Sequence, residues 1–215
     1  PDFTSLAFLL HREETMAEIR QFKMHSKLLF DVIQRQAGTL SKAVLEGVMN
    51  SIDAESSSVV IEVDSKTVRI SDEGRGFKDR REIEEFFETF GQPHAEEENK
   101  RYGTFRVGRG QLLAFGANLW RTGRFEMDVD VKNKGLDYQL KDDLPDQKGC
   151  HIKIELYEPL SALNLRDLED ELQGMVKCCG EPVFFNGRKN RQDKSKAERE
   201  HEHEECYIKL KDSGD

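Results

Sequence analysis

The sequence predicts an α+β fold, and three observations carry that prediction. Two consecutive segments within residues 26–54 repeat apolar residues at helical offsets of three and four. Directly after them, at 59–63 and 67–70, the pattern changes to runs of β-branched residues joined by the turn Asp64-Ser65-Lys66. Strand-like stretches at 124–132, 136–140 and 149–157 then precede a further helical pattern and a last apolar strand. Helices and strands grouped in this way predict a two-layer α/β sandwich, with helices on one face of a mixed, mostly antiparallel sheet.

Taken in order, residues 1–25 mix apolar and charged positions without a clean period. The first helix spans 26–36, with Leu29, Val32 and Ile33 as its apolar positions, and Gly38 ends it. Thr39 or Ser41 caps a second helix, 40–54, in which Val44, Leu45, Val48, Met49 and Ile52 keep helical spacing. A short acidic helix at 79–90 places Phe86, Phe87 and Phe90 on one core-facing side. Residues 91–101 are polar, include Pro93 and His94, and read as a mobile loop. A glycine-rich segment feeds an apolar helix from Gln111 through Phe115 and beyond; Trp120 is core or rim. A helix at 164–178 precedes the strand Val183-Phe184-Phe185. Within 188–205, 12 of 18 residues are charged, which describes a solvated linker. Cys206-Tyr207-Ile208-Lys209-Leu210 opens another strand, so the expected organisation is a domain over 1–187, a linker over 188–205 and the start of a following domain over 206–215.

Counting its 16 glycines, about 43% of the 215 residues are apolar, enough for a sizeable core. The net charge of −9 and pI near 5.3 argue against a surface that grips nucleic acid as a whole. No apolar run approaches the ~20 residues of a membrane span, and Leu6 to Leu10 lacks the basic lead-in of a secretory signal. Cys150, Cys178, Cys179 and Cys206 form neither a CxxC pair nor a disulfide framework, which points to a reducing, cytoplasmic setting. His201-x-His203-x-x-Cys206 has metal-like residue types, but it lies in the charged stretch without a fourth ligand and reads as a solvated tail.

Three segments carry chemistry. Glu46, Asn50 and Asp53, at offsets of four and three, project from one helix face. An acid, an amide and an acid in this array suit a hydrated divalent cation and a water. Alone they also suit a solvated face, but Asn50, Asp53 and the mid-helix Gly47 are poor helix formers, which a sequence built only for helicity would avoid. Asp72-x-Gly74-x-Gly76 follows a strand, so that an acceptor and an unobstructed backbone meet at its end; by itself it also makes ordinary turns. Gly103, Gly108 and Gly110 lead into a helix N-terminus, an arrangement that favours phosphate. The segment lacks the Gly-Lys-Ser/Thr ending of a P-loop.

In this order the three segments resemble the GHKL ATPases: gyrase B, the ninety-kilodalton heat-shock chaperone, histidine kinases and MutL. Glu46-Gly47-Val48-Met49-Asn50-Ser51-Ile52-Asp53-Ala54 is similar to the family's E-x-x-x-N-x-x-D-A helix, and Asp72-Glu73-Gly74-Arg75-Gly76 to its D-x-G-x-G box. Gly103-Thr104-Phe105-Arg106-Val107-Gly108 resembles the chaperone-type lid hinge. The likeness covers about residues 20–187. It implies a Bergerat-type fold that binds ATP or ADP with Mg²⁺, with Glu46 as general base, Asn50 as the metal ligand and Asp53 supporting that site. It further implies that Asp72 accepts from the adenine amino group, with Gly74 and Gly76 lining the base pocket. The segment Gly103, Thr104, Phe105, Arg106, Val107, Gly108, Arg109 and Gly110 would close over the phosphates, with 91–101 as the lid.

Two positions depart from the family pattern. Cys150, in Gly149-Cys150-His151-Ile152, stands where a threonine usually follows glycine near the adenine, and Arg106 replaces a hinge glycine. Arg106, Arg109 and Arg101 offer charge to the phosphates in its place. The resemblance implies slow ATP hydrolysis driving a conformational clamp or chaperone-like cycle, weak in this span because a Lys or Arg from a following domain usually completes the site. Residues 1–20 are candidates for an ATP-dependent exchange between two protomers. The alternatives are a DNA-repair or topoisomerase-like module of MutL or gyrase B type, suggested by the short interval from Asp53 to Asp72, and a nucleotide sensor that does not hydrolyse. The client, protein or DNA, is left open.

Overall fold

A computed structural model of the chain describes residues 26–88, 108–176, 179, 181–190, 201–202 and 207–208. Helices α1 (Ser26–Ala37) and α2 (Leu40–Asp53) lead into the hairpin of β1 (Val59–Val63) and β2 (Thr67–Asp72). A single turn, α3 (Arg80–Glu82), continues as the π-helical segment Ile83–Glu88. Then follow α4 (Gly108–Leu113), β3 (Gly116–Gly123), β4 (Phe125–Val129), α5 (Val131–Lys134), β5 (Tyr138–Lys141) and β6 (Gln147–Leu156). Helix α6 (Ala162–Val176), β7 (Val183–Phe185) and β8 (Arg188–Lys189) follow, and β9 (His201–Glu202) pairs with β10 (Tyr207–Ile208) in a second, two-stranded sheet.

Among the described residues eight strands form one sheet in the order β5-β4-β3-β6-β2-β1-β7-β8, antiparallel except where β7 lies parallel to β1. The α+β class and the mixed, mostly antiparallel sheet are therefore as the sequence predicts. Period-2 alternation gives the sheet one dry face: Val59, Ile61, Val68, Ile70, Met127, Ile152, Ile154 and Val183 are buried, while Val60, Glu62 and Arg69 are exposed. Onto that face pack Ala43, Val44 and Val48 of α2, Leu112 of α4, and Leu168, Leu172 and Val176 of α6, all in one cluster. Each large aliphatic side chain buried here stabilises the fold by about 1.5–3 kcal/mol relative to exposure.

The cap of α2 is Thr39, whose hydroxyl accepts from Lys42 N at 3.3 Å. Ser41 instead is buried and hydrogen-bonds Glu171 of α6, tying the two helices together. Asp64 Oδ1 accepts from Lys66 N and Thr67 N, 2.8 Å each, which builds the β1–β2 turn at the expected place.

Three expectations need correction. On α1 the predicted Ile33 is buried, together with Phe30 and Ala37 at offsets of three and four, but Val32 is exposed; the side chain of Leu29 lies outside the described residues. Helix α4 begins at Gly108 and stops at Leu113, where the chain turns into β3. That strand escapes sequence reading because its inward positions, Gly116, Asn118, Trp120 and Thr122, are mostly small or polar. Gly116 is required there, since a Cβ would stand 2.3 Å from Glu155 O on the neighbouring strand. Trp120 lies in the core, edge-on to Phe87 at 5.3 Å between ring centroids. The expected N-terminal exchange segment, the lid at 91–101, Phe90, Gly103, Thr104, Phe105, Arg106, Val107, Cys178 and Cys206 lie outside the described residues, as do the side chains of Phe86 and Arg109.

Candidate nucleotide site

The end of β2 delivers Asp72 into the interior, where only 5% of the residue is exposed. An unpaired carboxylate at that depth would be costly. Its oxygens instead take hydrogen bonds from three elements: Ser51 Oγ of α2 donates to Oδ2 at 2.8 Å, Gly74 N to Oδ1 at 2.8 Å, and Cys150 N of β6 to Oδ1 at 3.2 Å. An ionised carboxylate offers about four acceptor sites. Three are filled from within the protein, and one remains.

The glycines that follow are there because neighbouring backbone approaches. A Cβ on Gly74 would lie 2.6 Å from Ala54 O at the end of α2, and Arg75 N donates to that same carbonyl at 2.8 Å. Gly76 has φ +59°, and a Cβ there would meet Thr122 Oγ1 at 2.4 Å and Gly149 O at 2.8 Å. The loop from Asp72 to Phe77 is thus held between the C-terminus of α2 and the ends of β3 and β6. Above it, Lys148 Nζ pairs with Glu73 at 2.9 Å, and this contact holds the exposed Glu73 carboxyl below its ordinary pKa.

On α2 the structure sets Gly47, Val48 and Ser51 against the sheet, leaves Glu46 and Asp53 half-buried, and exposes Asn50. Burial raises the pKa of Glu46 above the usual carboxylate value. Glu46, Asn50 and Asp53 present only oxygen donors suited to a hard cation, a donor set that fits Mg²⁺. Among the described residues no group of three or more His, Cys, Asp or Glu could hold a metal by itself, so an ion here would need phosphate oxygens and waters to complete its shell. Gly108, Arg109 and Gly110 open α4, which packs on α1 and α2.

Asp72, Gly74, Gly76 and Cys150 therefore converge on the C-terminal end of the helix that carries Glu46, Asn50 and Asp53. The Cys150 thiol lies beside this loop, its pKa pushed up by burial and then by the Asp72 charge, so it stays protonated. Sequence reading missed Ser51 and Thr122, and it named Gly149 only as the residue before Cys150. For Ser51 a signal existed: a polar residue four positions after Gly47 on the buried stripe. Gly149, at φ +71° with Asp72 O 2.0 Å from its hypothetical Cβ, needs the strand pairing to be understood.

No helix among the described residues is long and apolar enough to cross a membrane. Residues 38–124 match the family model described as histidine kinase-, DNA gyrase B-, and HSP90-like ATPase. That span runs from the cap of α2 to the start of the β3–β4 turn and includes the helix, the Asp72 loop and the glycine-rich segment. No curated protein matches the chain.

Proposed function

We propose that the chain is a member of the superfamily of histidine kinase-, DNA gyrase B- and HSP90-like ATPases, whose family model matches residues 38–124, and that it binds ATP with Mg²⁺ and hydrolyses it slowly to drive a conformational cycle. The observation that supports this reading is the Asp72 carboxylate, buried, held from three sides and left with one acceptor site for an adenine amino group. Cys150 donates its backbone N–H to the same carboxylate, and Gly74 and Gly76 let the loop pack tightly against Ala54, Thr122 and Gly149 beside it.

The triphosphate would extend along α2 toward the start of α4 at Gly108. Asn50 would hold the Mg²⁺, which supplies charge neutralisation to the phosphates. Glu46 orients and deprotonates the attacking water; its half-buried position keeps the carboxylate basic enough for that task. Asp53 supports the end of the helix. Phosphoryl transfer to water depends on such positioning more than on covalent chemistry.

Calorimetry of ADP with Mg²⁺ tests the site: the binding heat should disappear in Asp72→Asn, and unchanged binding would remove the assignment. An ATPase assay with and without DNA separates the cycles. DNA stimulation would favour a repair or topoisomerase-type module, the reading that the direct passage from Asp53 through one hairpin to Asp72 supports. Hydrolysis indifferent to DNA would favour a chaperone-like clamp, and binding without hydrolysis a sensor.

A further inference from the structure

The loop from Asp72 to Phe77 is held at both ends by buried hydroxyls: Ser51, at an unspecified position of the Glu46-to-Ala54 segment, and Thr122, outside the motifs. At its start, Ser51 Oγ, on a residue 3% exposed, has two acceptors in reach, Asp72 Oδ2 at 2.8 Å and Gly47 O at 3.1 Å. With one proton to give, the shorter, charge-assisted bond to the carboxylate is the stronger. At its end, Phe77 N donates to Thr122 Oγ1 at 3.0 Å, and Thr122 is fully buried. Between the two hydroxyls lies Gly76, whose backbone runs close against Thr122 and Gly149. Thr122 pairs with Cys150 across the β3–β6 ladder, so this strand pair carries its hydroxyl on β3 and a weakly hydrogen-bonding thiol on β6.

We propose that Ser51 and Thr122 are positioning residues for base selectivity, acting through the loop between them; the proposal rests on the reading of Asp72 as the base acceptor. The terminal torsion of an aspartate is broad. Gly74 N and Cys150 N hold only Oδ1, and Ser51 is what fixes Oδ2 and hence the direction of the remaining lone pair. Thr122 anchors the peptide that follows Gly76, which sets how closely the loop approaches a bound ring. Ser51 also directly follows Asn50, so the same hydrogen bond ties base recognition to the helix that would carry the cation.

The test uses the full chain and two nucleotides, ADP and inosine diphosphate, whose ring carries a carbonyl where adenine carries its amino group. Affinities are measured for wild type, Ser51→Ala, Ser51→Thr, Thr122→Val, Thr122→Ser and Asp72→Asn, with thermal melts to confirm folding. Ser51→Ala and Thr122→Val should weaken ADP roughly ten-fold while changing inosine diphosphate little, so that discrimination contracts by the same factor. The hydroxyl-retaining Ser51→Thr and Thr122→Ser should keep most of it. Equal weakening of both nucleotides, or intact discrimination in Ser51→Ala beside its collapse in Asp72→Asn, would overturn the positioning role alone. Undiminished ADP binding in Asp72→Asn would overturn the base-site reading with it. Should Thr122→Val not fold, Ser51→Ala decides, since it deletes one small buried group.

Discussion

Gly47, in the middle of α2, faces Ile70 of β2 so closely that a Cβ on residue 47 would stand 2.7 Å from Ile70 Cδ1. Helix and sheet meet there at backbone range, one residue from Glu46 and three from Asn50. A glycine inside a helix costs about 1 kcal/mol relative to alanine, and this approach is the compensating gain.

Gly47→Ala should therefore be destabilising despite its better helix propensity, because overpacking costs about 1–3 kcal/mol. The colliding atom is one terminal methyl. Ile70→Val removes it, so the double variant should recover much of the loss. Chemical denaturation of the four proteins in a double-mutant cycle measures this, and strict additivity would show that the two residues do not compete for the same space.

Gly76→Ala should cost more, at least ~2 kcal/mol, since φ +59° disfavours an L side chain and the new methyl meets Thr122 and the Gly149 carbonyl. Nucleotide affinity should fall with it. Denaturation together with calorimetry checks both, and a stable variant that binds ADP normally would contradict the close-packed loop.

Glu46 separates stability from chemistry. Its folded pKa is raised by burial, so its contribution to stability is present below the unfolded value of 4.5 and is lost as pH rises through the folded value. At pH 7 the ionised carboxylate is a liability. Glu46→Gln should accordingly melt higher than wild type at pH 7, the difference fading below pH 4.5, while hydrolysis is lost and ATP binding kept. In the wild type the acid limb of hydrolysis should lie above the ordinary glutamate range. Full turnover in Glu46→Gln would reassign the base.

Chelating Mg²⁺ with EDTA should weaken ATP binding by roughly ten-fold or more, because the phosphates lose their counter-charge. Asn50→Ala should reproduce much of that loss, and EDTA should then do little further. Additive effects of chelation and substitution, read by calorimetry, would place the ion elsewhere.

Much of the architecture could be read directly. The spacing of Val44 and Val48 and the β-branched run from Val59 each follow from short-range periodicity, and both elements fold where that periodicity puts them. Strand β3 could not be read, because its inward positions include Gly116 and Asn118, which disfavour strands, and Thr122, whose polarity hides its burial between the strands on either side. On α1 the predicted Ile33 is buried, but Val32 is exposed although apolar, because the contacts made by α4 and α5 take in Phe30, Ile33 and Ala37.

The linear order of Glu46, Asn50, Asp53, Asp72, Gly74 and Gly76 was enough to point to the ATPase superfamily whose model matches residues 38–124. Folding added the partners. That Ser51 and Cys150 both donate to Asp72, and that Gly76 must stay bare beside Thr122, depends on segments up to 78 positions apart meeting at hydrogen-bond range. Local spacing encodes which groups a helix or strand displays, whereas the strand register and the depth of helix packing decide which distant groups they meet.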